Sequence, residues 1–228
     1  VQIPHPGARI VILSRQRDYL FIHIPKTGGT ALTLALEARA AKDDIIIGDT
    51  PKARARKGRL AALPARGRLW KHSTLADLDG LLSPDDLDHL FLVTLIRNPW
   101  DRMVSYYHWL RGQSFAHPAV ALARATAFPD FLAHPDTATA LAAWPYPAYL
   151  RDAAGQERPA LYARLERLDE DLAPFEAHLG FRLTPLPQAN ATARARDWRG
   201  YYSDADAERV ATLCAADIAR FGYRFDPD

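Results

Sequence analysis

The sequence has one cysteine (Cys214), one methionine (Met103), and only five lysines among its 29 basic residues. A lone thiol can neither close an internal disulfide nor build a Cys-based zinc site. Its setting, Val210-Ala211-Thr212-Leu213-Cys214-Ala215, is that of a core thiol on a helix. Long apolar runs are also missing. The longest, Leu90 to Ile96, is interrupted by Thr94, whereas a membrane span needs about 20 residues. The first residues lack the charged-then-apolar pattern of a signal peptide, although a start at Val leaves a removed leader or anchor open. Charge of one sign is not in excess either. With 29 basic against 27 acidic residues the net charge is +2, which argues against a genome-coating protein. The 24 arginines and the abundant alanine read as codon bias in a G+C-rich genome. Together with the single cysteine and the missing anchor, they suggest a cytoplasmic bacterial protein.

What is present suits a soluble globular chain. Its 228 residues allow one large domain or two small ones, and a 48% hydrophobic share supplies a substantial core. Tyr19-Leu20-Phe21-Ile22-His23-Ile24 reads as a buried strand that stops at Pro25. Pro25-Lys26-Thr27-Gly28-Gly29-Thr30 follows as a turn, and Ala31 to Ala38 is a run of good helix formers. Ile45-Ile46-Ile47 is a second strand. Between Pro51 and Ala76 there are eight basic residues and no acidic one. Gly58, Pro64 and Gly67 interrupt that stretch, so residues 52–71 are expected to form a mobile basic loop. Thr74 and Ser83 are candidate N-caps of short helices.

The strongest strand signal is His89 to Ile96, which runs into Arg97-Asn98-Pro99 and then a helix from about Trp100 to Arg111. Residues 112–158 read as short helices. Leu161 to Leu165 is a fourth strand, Asp169 to Leu179 a helix ended by Gly180, and Ser203 caps a final helix to about Phe221. Alternating strands and helices predict an α/β fold with a central, mainly parallel sheet flanked by helices. No repeat, linker or domain boundary is visible, so the expectation is a single domain over residues 1–228.

A strand entering a glycine-containing turn and then a helix makes an anion site, because turn amides and the positive helix end converge on one point. Lys26 adds a formal charge there, and Thr27 and Thr30 add hydroxyls. The nucleotide-triphosphate loop G-x-x-x-x-G-K-[ST] places its lysine after the second glycine. Here Lys26 precedes Gly28-Gly29, which counts against a magnesium-dependent kinase.

The segment Phe21-Ile22-His23-Ile24-Pro25-Lys26-Thr27-Gly28-Gly29-Thr30 resembles the 5′-phosphosulfate loop of sulfotransferases that use 3′-phosphoadenosine 5′-phosphosulfate (PAPS). The likeness is nearest to the carbohydrate subgroup with heparan sulfate 2-O-sulfotransferases and bacterial homologues. Val93 to Ser105 resembles the same family's 3′-phosphate element. Weaker likenesses run through Tyr162 to Leu168 with Asp171, Asn190-Ala191-Thr192, Tyr201-Tyr202 and Phe221-Gly222-Tyr223. The resemblance implies a P-loop-like fold and transfer of a sulfuryl group from PAPS to a hydroxyl, of a saccharide in the nearest subgroup, with the acceptor chosen by residues 112–158. It implies that Lys26 and the amides of Thr27, Gly28, Gly29 and Thr30 hold the phosphosulfate, and that Arg97 and Ser105 hold the 3′-phosphate, with Arg196 a weak addition. The product nucleotide would be 3′,5′-adenosine bisphosphate. No metal is needed, and the eight histidines show no ligand spacing.

For the general base the resemblance favours His72, whose free pKa near 6.5 suits proton transfer. Glu37 is the alternative, seven residues after Thr30 and on the same helix face. His23 and His108 read as structural. Two other functions compete with transfer: a P-loop nucleotide kinase, and a non-catalytic polyanion-binding module built on residues 52–71. Neither a nucleic-acid partner nor a membrane span is expected.

Overall fold

A computed structural model describes residues 10–67, 69–70, 73–187, 189, 194–195 and 197–226. Its strands are β1 (Ile10–Ser14), β2 (Tyr19–Phe21), β3 (Ile45–Gly48), β4 (Phe91–Ile96) and β5 (Leu161–Arg164). Its helices begin with α1 (Gly29–Ala38), α2 (Pro51–Arg56), α3 (Pro84–His89) and α4 (Pro99–Arg111). Then come α5 (Pro118–Ala125), α6 (Phe128–Ala133), α7 (Pro135–Ala143), α8 (Leu168–Asp171), α9 (Ala173–Leu179), α10 (Asp204–Leu213) and α11 (Ala215–Phe221). The chain forms two compact units. One holds the sheet and runs to Ile96, resuming at Tyr146; the other is helical and takes Arg97–Pro145 with the described residues from 194 onward.

The sheet unit orders its strands β3-β1-β2-β4-β5. β4 pairs in parallel with both β2 and β5, while β1 is antiparallel to both β2 and β3. Four strands therefore point one way and β1 the other, which agrees with the expected α/β architecture. Side chains alternate across the pleat. Ile12, Tyr19, Phe21, Ile46, Val93, Leu95 and Ala163 share one face and pack with Leu32 and Leu36 of α1, Leu172, and Phe175 of α9. On the opposite face Val11, Leu13, Leu20, Leu92, Thr94 and Ile96 are also buried. Burial on both faces explains why the strands read as unbroken apolar runs rather than alternating ones.

Several elements differ from the sequence reading. Strand β1 has no counterpart there; only five residues long, it joins β2 through Arg15 to Asp18, where Asp18 takes a left-handed turn at φ 48°. The helix expected from Asp169 to Leu179 is two, α8 and α9, parted at Leu172 just before Pro174, which has no N–H to continue the ladder. The last helix likewise breaks at Cys214, which is buried as expected. Thr74 is not a cap acceptor; its N–H and hydroxyl both donate to Asp77 Oδ2. Ser83 and Ser203 do cap their helices, each closing a capping box with an aspartate three residues on.

The basic stretch at 52–71 is the main correction. Instead of a loop, it opens with α2 and a 3-10 turn over Lys57–Ala62. Pro51 stands at the start of α2, and Thr50 caps it by accepting from the Ala53 N–H at 3.1 Å. Three of the stretch's cations donate to backbone carbonyl oxygens. Lys52 donates to the Glu37 carbonyl, Arg56 to Asp44 at 3.0 Å, and Arg59 to Lys42 at 2.5 Å. Beneath them the Thr50 hydroxyl donates to the buried Glu37 carboxylate at 2.5 Å.

In the helical unit Tyr107 of α4 packs edge-on against Phe128 and lies 5.3 Å from Phe131 of α6. A second aromatic group, Trp100, Trp198, Tyr202 and Phe225, joins the start of α4 to the C-terminal segment. The Trp100 indole donates to the Ala207 carbonyl at 2.9 Å, and the Tyr202 hydroxyl to the Trp100 carbonyl at 2.8 Å. Residues 112–143 carry the short helices expected of them.

Two measurements follow from this packing. Phe175 is fully buried with its ring 5.3 Å from that of Tyr19, so Phe175→Ala should cost about 3–5 kcal/mol in urea unfolding. Burial pushes the Glu37 carboxyl above its ordinary 4.5, against the Thr50 hydrogen bond and the charges of Lys52 and Arg56. A raised carboxyl pKa means that ionisation opposes folding, a penalty absent below 4.5 and complete above the folded value. Glu37→Gln should therefore raise the melting temperature near neutral pH, and the gain should vanish as the pH falls below that ordinary value.

Candidate functional site

The loop after β2 is built by four consecutive constraints. The chain passes Ile22, whose N–H donates to the Val93 carbonyl at 3.1 Å, and turns at Pro25. Lys26 then adopts φ 66°, a left-handed backbone in a residue that is not glycine. Such a conformation costs on the order of 1–3 kcal/mol and persists only where its surroundings enforce it. The buried Thr27 hydroxyl supplies part of that force by donating back to the Ile24 carbonyl at 2.8 Å. Gly28, at φ 83°, is the N-cap of α1 and offers no side chain to cover the helix's positive end. Gly29 lies against the buried imidazole of His23: a Cβ there would fall 2.4 Å from His23 Cδ2.

His23 itself stacks on Phe21, with ring centroids 6.0 Å apart. The two adjacent glycines are both required: Gly28 has a positive φ and a Cβ there would also fall 2.5 Å from Leu165 Cδ1, while at Gly29 the close approach of His23 alone forbids a side chain. Lys26 and Thr30 are half-buried beside the amides at the start of α1. A helix end, successive N–H groups and a cation in one turn form the chemistry of an oxyanion or phosphate cradle.

Within the helical unit, Arg97 opens a second cationic group. Its Nε and Nη2 donate to Asp101 Oδ2 at 2.8 and 2.5 Å. The other oxygen of that carboxylate, Oδ1, accepts from Arg194 Nη2 at 2.6 Å. One aspartate thus holds two guanidinium groups, leaving a surplus positive charge at a site where all three side chains are only 12–14% exposed. Arg194 Nη1 is buried with no hydrogen-bond partner among the described residues. A buried donor left unpaired is costly unless something accepts from it. Asp101, Ser105 and His108 follow one another at four- and three-residue spacing, hence on one face of α4. Ser105 is buried there. His108 is held below its usual pKa by burial and by the charges of Arg194 and Arg111, which favours the neutral ring.

Arg194 opens the segment Arg194-Ala195-Arg196-Asp197-Trp198-Arg199, whose faint likeness to a nucleotide-binding segment of sulfotransferases pointed to Arg196 alone; Arg196 lies outside the described residues together with His72. The pairing of residue 194 with residue 101 depends on a contact across 93 positions of chain, and no local pattern announces it. Glu37 sits two turns along α1 from the loop with its carboxylate engaged by Thr50. Among the described residues no group of three or more His, Cys, Asp or Glu could hold a metal ion, and no helix is long and apolar enough to cross a membrane.

No protein-family model matches the sequence, and no curated protein matches it. Among solved structures, a mouse sulfotransferase, SULT7A1, complexed with PAP matches across 89% of this chain and 84% of its own. The identity is 16% and the TM-score 0.45.

Proposed function

We propose that the protein is a PAPS-dependent sulfotransferase, with the whole chain serving as one such domain. The observation that carries this reading is the loop after β2, where Lys26 is held at φ 66° two residues before Gly28, the N-cap of α1, which makes no side-chain cap hydrogen bond. In this reading Lys26 and the amides of Thr27, Gly28, Gly29 and Thr30 bind the 5′-phosphosulfate. Arg97 and Ser105, now with Arg194, bind the 3′-phosphate. The Arg97–Asp101–Arg194 group supports that assignment, because a planar guanidinium fork recognises phosphate oxygens well.

Transfer is an in-line displacement. The acceptor oxygen forms a bond to sulfur as the bond from sulfur to the bridging phosphate oxygen breaks. The acceptor's proton passes to a base, and Lys26 offsets the charge left on the departing phosphate. His72 is preferred as that base, since the alternative, Glu37, is buried and already accepts from Thr50. The acceptor is a hydroxyl compound, a saccharide by the sequence resemblance.

Thermal unfolding with 3′,5′-adenosine bisphosphate tests the nucleotide half directly. At about 100 times its Kd, a ligand specific to the folded state adds about 2.7 kcal/mol. A clear rise with the bisphosphate, and little with 5′-AMP or magnesium-ATP, is expected. No rise with the bisphosphate, or a larger one with magnesium-ATP, would refute the reading. Arg97→Ala and Arg194→Ala should each weaken bisphosphate binding about 10–100-fold. For the chemical half, Lys26→Ala should abolish transfer and His72→Ala should slow it about 10²–10⁴-fold. Unchanged transfer in the His72 variant, with loss in Glu37→Gln, would move the base to Glu37.

A further inference from the structure

The helical unit contains a cavity of about 620 Å³ that the nucleotide assignment does not use. Its size falls within the roughly 300–1,000 Å³ of small-molecule sites. Tyr106 of α4, Leu122 of α5, Phe131 of α6 and Ala140 of α7 contribute to its walls. Tyr106 and Phe131 offer two ring faces, their centroids 6.1 Å apart and inclined at 57°. Few polar groups reach it, so it lacks the dense set of donors and acceptors that a sugar's hydroxyls require. Asp136 stands at the rim with its side chain 80% exposed, which leaves it solvated rather than a buried partner for a cation.

Two imidazoles also line the cavity, those of His117 and His134. Each is the N-cap of a helix: His117 Nδ1 accepts from the Ala119 N–H at 3.1 Å, and His134 Nδ1 from the Asp136 N–H at 3.2 Å. A ring nitrogen that accepts carries no proton, so each neutral ring is locked as the tautomer with its proton on Nε2. Burial, which holds His117 below its usual pKa, favours the same neutral state. The caps thus turn two histidines into fixed donors beside an apolar cavity.

We propose that this cavity binds a ring-bearing, largely apolar small molecule carrying a hydrogen-bond-accepting oxygen, the rings lying against Tyr106 and Phe131 and the oxygen accepting from His117 or His134 Nε2. The inference does not rest on the nucleotide assignment, since none of these groups is among the residues given to the phosphosulfate or the 3′-phosphate.

The test uses 1-naphthol and naphthalene as probes, with titration calorimetry on the full chain. 1-Naphthol should bind saturably at one site, and naphthalene about tenfold more weakly for want of the oxygen. Asparagine is itself a good N-cap, so the double variant H117N/H134N keeps both caps and removes both imidazole donors. It should weaken 1-naphthol about tenfold while leaving naphthalene affinity and the melting temperature unchanged. Ala140→Trp, which fills the cavity, should abolish binding of both probes. Imidazole ¹⁵N signals of the unaltered protein provide a reading free of folding effects: 1-naphthol should shift the Nε2 resonance of His117 or His134. The proposal fails if 1-naphthol does not bind saturably, if both probes still bind a folded Ala140→Trp protein, if the double variant weakens the two probes equally, or if neither imidazole responds.

Discussion

The parallel pairing of β2 with β4 is the constraint on which the sheet unit depends. The ladder itself spans only Tyr19 to Phe21 on the β2 side, yet the contact continues beyond it. Ile22 donates its N–H to the Val93 carbonyl, and the buried Thr94 hydroxyl donates to the Ile22 carbonyl at 2.7 Å. A hydroxyl in an otherwise apolar strand is tolerable because it is satisfied. Its effect is to fix the chain past the end of β2, so the turn at Pro25 starts from a defined position. The left-handed Lys26 depends on that anchoring, because a strained residue in a loosely held loop would relax.

A similar economy governs the helical unit. Asp101 is the hub: its carboxylate bridges Arg97 and Arg194, two nearly buried like charges whose desolvation and mutual repulsion it offsets. With it, the pair retains surplus positive charge and the fork of Arg194 keeps a donor unspent. The carboxylate therefore organises the cationic site without neutralising it. Ser105 and His108 lie along the same face of α4 by helix periodicity alone, while Tyr106, one residue on from Ser105, reaches the separate apolar cavity. One helix thus supplies two different surfaces, polar on one side and aromatic on another.

Local signals in the sequence were reliable where the physics was local. Pro25 starts a turn, although β2 itself ends earlier, at Phe21; Gly28 supplies a positive φ, Ser83 and Ser203 cap helices, and the run from Phe91 to Ile96 is too apolar to lie at a surface. Each of these needs only neighbouring residues. The errors arose where a long-range partner altered the local balance. Residues 52–71 read as a mobile loop because eight cations without acids repel one another in an extended chain and Gly58, Pro64 and Gly67 interrupt it. In the fold, Lys52, Arg56 and Arg59 reach carbonyl oxygens at 37, 44 and 42, beside a core-packed Ala53. Strand β1 escaped notice because a short apolar run becomes a strand only when β2 and β3 flank it.

By itself, the sequence determined the succession of β2, α1, β3, β4, α4 and β5, the glycine-bearing turn with its lysine, and the arginine that follows β4. These depend on periodicity, φ preferences and the missing proline N–H, which act over a few bonds. Tertiary structure alone decided that β1 runs against its neighbours, that Glu37 serves as an anchor for Thr50, and that Arg194 shares Asp101 with Arg97. It also decided that two histidines become N-caps around an apolar cavity. The reason is common to all four: a hydrogen bond or ion pair between residues distant in the chain is selected by which faces the fold brings together, and a linear sequence carries no record of that proximity.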